Sequence, residues 1–143
     1  MIPKLIDIGS PWKVLPPGVH DATLSEIEET FASNEHRIRL FSGFEKAVKA
    51  LFKAGCRTIY LDGSFVTGKP LPRDYDACWC PSGVNLQKID PVLLDFKNKR
   101  AAQKQKYYGE LFLTNKTACP GKFFFDYFQE DKLRWLRFLL FSR

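Results

Sequence analysis

Apolar residues recur at three- and four-residue steps in two early segments, which places two helices there. Thr23-x-x-Glu26 has the form of a capping box and precedes Leu24, Ile27 and Phe31, so a short amphipathic helix is expected. Asn34 is positioned to cap a second helix whose apolar side carries Ile38, Phe41, Phe44, Val48, Leu51 and Phe52. Gly55, just past Lys53, is a C′ glycine that would stop it. The pattern then changes character. Residues 57–61 bring Thr58, Ile59 and Tyr60 and predict a strand; residues 74–80 predict a second, ended by Pro81-Ser82-Gly83. Asp90-Pro91, an N-cap followed by proline at N1, opens a helix expected to reach Tyr107 and to bury Val92, Leu93, Phe96 and Ala101. Residues 109–114 predict a third strand. The segment 133–141 predicts a short helix that packs Leu133, Leu136 and Leu140. Residues 1–18 hold four prolines and two glycines, so they read as an extended arm (1–18) docked on a single domain (19–143) by Leu5, Ile6, Ile8 and Trp12.

Composition narrows the class. A chain of 143 residues that is 45% hydrophobic, with 13 Phe, can bury a real core. The fold class expected is α/β (α+β), a small mixed β-sheet flanked by helices. No basic segment followed by an apolar core opens the chain, and no apolar run approaches the ~20 residues of a membrane span. The expectation is therefore a cytoplasmic protein with no membrane partner. Cys56, Cys78, Cys80 and Cys119 match no common zinc spacing and read as reduced thiols. His36, near the start of the second helix, reads as solvated rather than ligating, and His20, with no visible histidine partner, is assigned no chemistry. Lys and Arg exceed Asp and Glu by 22 to 16, which favours an anionic partner. Lys97, Arg100 and Lys104, with Lys99 and Lys106 beside them, fall on one side of the expected third helix. That side is either a solvated face or a sequence-blind track for a phosphate backbone.

The chemistry concentrates between residues 60 and 79. Tyr60-Leu61-Asp62-Gly63-Ser64 leads into a polar loop with Thr67, Gly68 and Lys69, and residues 65–73 separate Ser64 from Asp74-Tyr75-Asp76. Side chains at i and i+2 of a strand project to the same face, so Asp74 and Asp76 point together. Paired carboxylates beside a Gly-Ser turn suit a divalent cation and the phosphates it carries.

In this order and spacing, apolar–Gly–Ser followed by Asp–apolar–Asp–apolar, the chain resembles the DNA polymerase β-type nucleotidyltransferase superfamily. It is similar in particular to small uncharacterised bacterial and phage members, some of them associated with toxin–antitoxin and defence loci. The wider similarity includes Leu15-Pro16-Pro17-Gly18, Asn34-Glu35-His36-Arg37 and Gly109-Glu110-Leu111-Phe112. The resemblance implies a nucleotidyltransferase fold, Mg²⁺ (or Mn²⁺) held by Asp74 and Asp76, and a nucleoside triphosphate substrate. Its phosphates would lie against Gly63 and Ser64, with Thr67, Lys69 and Arg73 within chain reach. It also implies a third carboxylate from a neighbouring strand. Glu110 on the third strand is favoured for this role over Asp126 in the aromatic run 123–128.

Two readings of function follow. The first is an enzyme that moves a nucleoside monophosphate to a hydroxyl of RNA, the tRNA 3′ end above all, or of a protein. The second is a non-catalytic module of the same fold that binds nucleotide, RNA or a cognate protein such as an antitoxin. A DNA-binding regulator has no helix-turn-helix, zinc-finger or zipper pattern to support it.

Overall fold

The capping box forms as written. In a computed structural model that describes residues 1–114 and 134–139, Glu26 N donates to Thr23 Oγ1 (3.1 Å) and Thr23 N donates to Glu26 Oε1 (3.0 Å), starting α1 (Leu24–Phe31). Arg37 N likewise donates to Asn34 Oδ1 (2.8 Å) at the start of α2 (Glu35–Lys53), and Gly55 ends that helix at φ 104°. Phe41, Phe44, Val48 and Leu51 are buried, but Ile38 is 53% exposed. Ile38 lies beside the apolar stripe, and the buried position next to it belongs to Arg37.

The sheet is mixed, in the order β1-β5-β2-β3-β4. Its strands are β1 (Gly18–Asp21), β2 (Thr58–Asp62), β3 (Tyr75–Trp79), β4 (Gly109–Leu113) and β5 (Arg134–Leu139). β2 runs antiparallel to both β3 and β5, while β1–β5 and β3–β4 are parallel pairs. Alternation divides the sheet sharply. Ile59, Leu61, Tyr75, Ala77, Trp79, Leu111 and Leu136 pack with α1 and α2 in the main core, where Phe44 meets Tyr75 edge-on at 5.3 Å. Tyr60, Trp135, Val19 and Cys78 form a second cluster on the opposite face. Asp76 and Glu110 lie on that second face as well, because they are two residues from Cys78 and Phe112 in register.

Four expectations fail here in whole or in part. The C-terminal segment is not a helix. Residues 134–139 form an inner strand between β1 and β2, with Trp135 turned to one cluster and Leu136 to the other. A strand buried on both faces carries a near-continuous apolar run, which periodicity does not separate from a helix. Leu133 and Leu140 lie outside the described residues.

The helix expected from Asp90 to Tyr107 is broken. Asp90 does cap a turn, accepting from Val92 N (3.0 Å), but the turn is a 3₁₀ segment, Pro91–Leu94. Helix α3 (Lys97–Tyr107) follows, and its first turn has Asn98, Lys99 and Arg100 at left-handed φ of 51°, 55° and 62°. Leu93 is buried as expected, whereas Phe96 is 40% exposed and Ala101 is exposed.

The N-terminal arm is docked by only part of the expected set: Leu5 packs against the core and Trp12 is half-buried, but other residues do most of the holding. Ile6 and Ile8 are exposed, Leu5 is partly buried, and the chain is held by Leu15, which is fully buried, and Val14. Val14 bridges Ile6 and Thr67, and the arm's end, Gly18, already belongs to β1. Cys56 and Cys78 are free thiols, but Cys80 is disulfide-bonded, contrary to the expectation of reduced thiols throughout. The aromatic run 123–128, with Asp126, and Cys119 lie outside the described residues. No helix among the described residues is long and apolar enough to cross a membrane.

Candidate functional site

β2, β3 and β4 bring the predicted residues together at one end of the second sheet face. Parallel pairing sets Asp76 directly beside Glu110, and antiparallel pairing sets it opposite Asp62. Asp74, just ahead of β3, projects to the same side. Carboxylate oxygens of Asp74, Asp76 and Glu110 all lie within 4.8 Å of one another, and all three residues are half-buried. Glu110, the carboxylate favoured from the sequence, thus lies beside the Asp74–Asp76 pair, while Asp126 lies outside the described residues. Sequence reasoning missed Asp62, whose carboxyl is raised by burial, with a hydrogen bond from the Gly63 backbone opposing the rise. The available signal was its position two residues from Tyr60 on the same strand face.

The charges at this end of the sheet oppose each other. Burial pushes the Asp76 carboxyl up to about 7, helped by a hydrogen bond to Glu110 and by the charges of Asp74, Glu110 and Asp62. Asp74 is raised by burial and by Glu110, against the pull of Lys104, Arg73 and Arg100. Glu110 goes the other way: burial pushes it up, but hydrogen bonds from Arg100 and Asp76 and the nearby cations hold it below the usual range. Of this pair, Asp76 is thus held towards its protonated form and Glu110 towards its charged form.

That charge is already countered. Arg100 Nε lies 2.6 Å from Glu110 Oε1, and Lys104 Nζ lies 3.5 Å from the same oxygen. The Arg100 guanidinium also stands over the Phe112 ring at 4.9 Å. Lys106 pairs instead with Asp90 (2.6 Å), which also accepts from the Tyr107 hydroxyl. Lys97 lies across the left-handed turn and is exposed. The five basic residues thus do not form one track; two of them face Glu110 and one faces Asp90.

The Gly-Ser turn abuts the carboxylates. Gly63 has φ 84°, and a Cβ there would meet Asp76 Oδ2 at 2.4 Å, so both conformation and space require glycine. Ser64–Val66 is a 3₁₀ turn. Thr67 serves the loop, donating from Oγ1 to Ser64 O (2.6 Å) and accepting from Lys69 N (3.2 Å). Lys69 Nζ stands over the Trp12 ring at 5.2 Å, away from the carboxylates, and Arg73 is exposed. A cavity of about 260 Å³ adjoins the turn, bounded by Asp62, Gly63, Thr67, Arg134 and Trp135 among others.

Two structural residues that the pattern left without a role fix this geometry. Arg37 is 2% exposed, and its guanidinium donates to the carbonyls of Phe31 (3.0 Å), Phe65 (2.7 Å), Thr67 (2.7 Å) and Lys69 (3.1 Å from Nε), holding the loop after Gly63. Gln103, fully buried, accepts from Leu111 N (2.8 Å) and donates to Leu93 O (3.4 Å), tying α3 to the strand that carries Glu110. The histidines have structural contacts: His20 Nε2 meets Pro16 O (2.8 Å), and half-buried His36 meets Pro72 O.

Residues 10–139 match a family described as a family of unknown function (DUF6932), and the chain belongs to that family. No curated protein and no solved structure matches it.

Proposed function

We propose that the chain is a nucleotidyltransferase of the DNA polymerase β type, moving a nucleoside monophosphate from a nucleoside triphosphate to a hydroxyl. The observation that carries the reading is the convergence of Asp74, Asp76 and Glu110, oxygens within 4.8 Å, beside a turn where only glycine fits against Asp76. Three hard oxygen donors fit Mg²⁺ or Mn²⁺ by their chemistry. Bound there, such ions would offset charge on the attacking and leaving oxygens of phosphoryl transfer. The protein's own work is then positioning. Asp74, Asp76 and Glu110 hold the cations, and the Gly63-Ser64 turn, with the Ser64 hydroxyl, receives the β- and γ-phosphates. Arg37 keeps that turn rigid. Exposed Arg73 stands next to Asp74 as a cation within reach of the same phosphates. Net charge supports RNA over a protein as acceptor, and the tRNA 3′ end is the RNA acceptor the proposal favours.

One observation favours a second reading, a module of the same fold that binds without turnover. Glu110 is engaged by Arg100 and Lys104. A carboxylate committed to a structural ion pair would leave the cation site one ligand short.

One experiment separates the two. Purified protein is incubated with each α-³²P-labelled nucleoside triphosphate, Mg²⁺ or Mn²⁺, total RNA and cell lysate, beside Asp74→Asn and Asp76→Asn. Label in RNA or protein that both variants abolish is the expected result, with a drop of at least a hundredfold, as for loss of several kcal/mol of charge stabilisation. No label from folded protein, or label indifferent to the variants, overturns the enzyme reading.

A further inference from the structure

We infer that Arg100 gates the third carboxylate: it holds Glu110 in an ion pair until a divalent cation arrives with a triphosphate, then exchanges Glu110 for the phosphate oxygens. The inference rests on the metal-site reading above and adds to it a contact that must break before the site can be used.

Three observations carry it. First, Arg100 Nε at 2.6 Å and Lys104 Nζ at 3.5 Å converge on one oxygen of Glu110, the residue paired in register with Asp76. A cation seeking that carboxylate meets two positive charges already there. Second, Arg100 ends a run of three left-handed residues, Asn98, Lys99 and Arg100, a conformation that single L-residues adopt rarely and successive ones more rarely still. Third, residues 97–99 are exposed, while Arg100 is held by Glu110 and by the Phe112 ring. The left-handed turn thus ends in the contact that cation binding would displace. Releasing Glu110 lets the turn relax towards a right-handed first turn of α3, which makes it a two-state element. The freed guanidinium remains beside the carboxylates, where a triphosphate offers its planar fork pairs of charged oxygen acceptors.

The test reads metal binding rather than turnover: electron paramagnetic resonance of free Mn²⁺, titrated into the full chain. Arg100→Ala is expected to bind Mn²⁺ alone about tenfold more tightly than the native protein, within the usual range of coupling between competing ligands. The order reverses when Mn²⁺ is added with a nucleoside triphosphate carrying a non-hydrolysable α–β linkage; there the variant binds about tenfold more weakly. Lys97→Ala, which removes an exposed charge without touching Glu110, stays within about twofold of native. Lys99→Gly and Lys99→Ala lose the same charge, but glycine favours the left-handed turn, so the glycine variant binds Mn²⁺ alone about fivefold more weakly than the alanine variant. Asp74→Asn identifies the site and should weaken binding in every background. If it does so while Arg100→Ala leaves Mn²⁺ affinity unchanged, the gate is overturned and the metal site stands. If Arg100→Ala binds the Mn²⁺–triphosphate pair as tightly as native, the exchange onto phosphate is overturned. If neither the native chain nor Arg100→Ala binds Mn²⁺ in an Asp74-dependent way, the metal site falls, and the gate with it.

Discussion

Replacing Arg37 should cost the fold more than replacing any catalytic candidate. Arg37 is 2% exposed, and among the described residues its guanidinium is hydrogen-bonded to carbonyl oxygens rather than paired with a carboxylate. Burial accordingly lowers its pKa. A hydrogen bond to a charged group contributes roughly 1.5–3 kcal/mol, and two of Arg37's bonds, to Phe31 O and Phe65 O, are wholly buried. Those two alone suggest about 3–6 kcal/mol, from which the relief of burying a charge must be subtracted. The expected loss for Arg37→Ala is about 4 kcal/mol, a large share of the roughly 5–15 kcal/mol that holds a domain together. Lysine keeps the charge but not the planar fork, so Arg37→Lys should lose about 2 kcal/mol. Urea unfolding with linear extrapolation measures both. Amide hydrogen exchange across residues 64–69 should accelerate in Arg37→Lys beyond the global change, since four of the acceptors lie on that loop. A loss below about 1 kcal/mol for alanine, or a lysine variant indistinguishable from native, would refute the claim that this fork organises the loop.

Two further predictions follow from the carboxylates. The folded-state pKa of Asp76 is raised to about 7, so its stabilising contribution is complete below the ordinary carboxyl value and is lost as pH rises through 7. In chelator, native protein should lose about 1–2 kcal/mol between pH 5 and pH 8, after halving for partial exposure, and Asp76→Asn should flatten that slope. Parallel melting curves for the two proteins would exclude it. The lowered groups Asp21, Glu26, Asp90 and Glu110 act in the opposite sense and at lower pH, outside this window. Gly63→Ala places a methyl 2.4 Å from Asp76 Oδ2 at φ 84°; it should destabilise by about 2–3 kcal/mol and displace Asp76, which a crystal structure or loss of Mn²⁺ binding would report.

Local signals were legible in the sequence where one residue decides the outcome. Thr23 with Glu26, Asn34, Gly55 and Asp90 all do at close range what their side chains allow. The i, i+2 rule put Asp74 and Asp76 on one face, and the order of elements put Glu110 beside them. What escaped depends on long-range pairing. Nothing local to Arg134-Trp135-Leu136-Arg137 says that it will enter a sheet between a strand from residue 18 and one from residue 58. The break at 98–100 was equally hidden, because Asn-Lys-Arg is ordinary helix sequence, and its left-handed path accompanies a contact with Glu110 ten residues away. Arg37 looked like one more helix-surface cation until the loop from Ser64 to Lys69 folded over it.

Core packing decides where the carboxylates sit. Along β3 one alternation meets two demands: Tyr75, Ala77 and Trp79 enter the helix-covered core, so Asp76 must face the other side, with Asp74 in phase. Any register slip of one residue would drive both carboxylates into the apolar core and expose Trp79, so the core enforces the site's geometry. The same argument applies to β4, where buried Leu111 fixes Glu110 outward, and to β2, where Leu61 fixes Asp62. Asp62, Asp76 and Glu110 on three neighbouring strands, with Asp74 just ahead of β3, thus converge because core packing turns them to the same face. Their mutual repulsion is met by cations from outside the sheet, Arg73 from the preceding loop and Arg100 and Lys104 from α3. The sheet sets where the negative charge stands, and in the proposed gate the Arg100 turn of α3 sets whether that charge is free to bind. That division is why substitutions in the sheet should alter folding and ligand binding together, while substitutions at 98–100 should change ligand binding with little effect on the core.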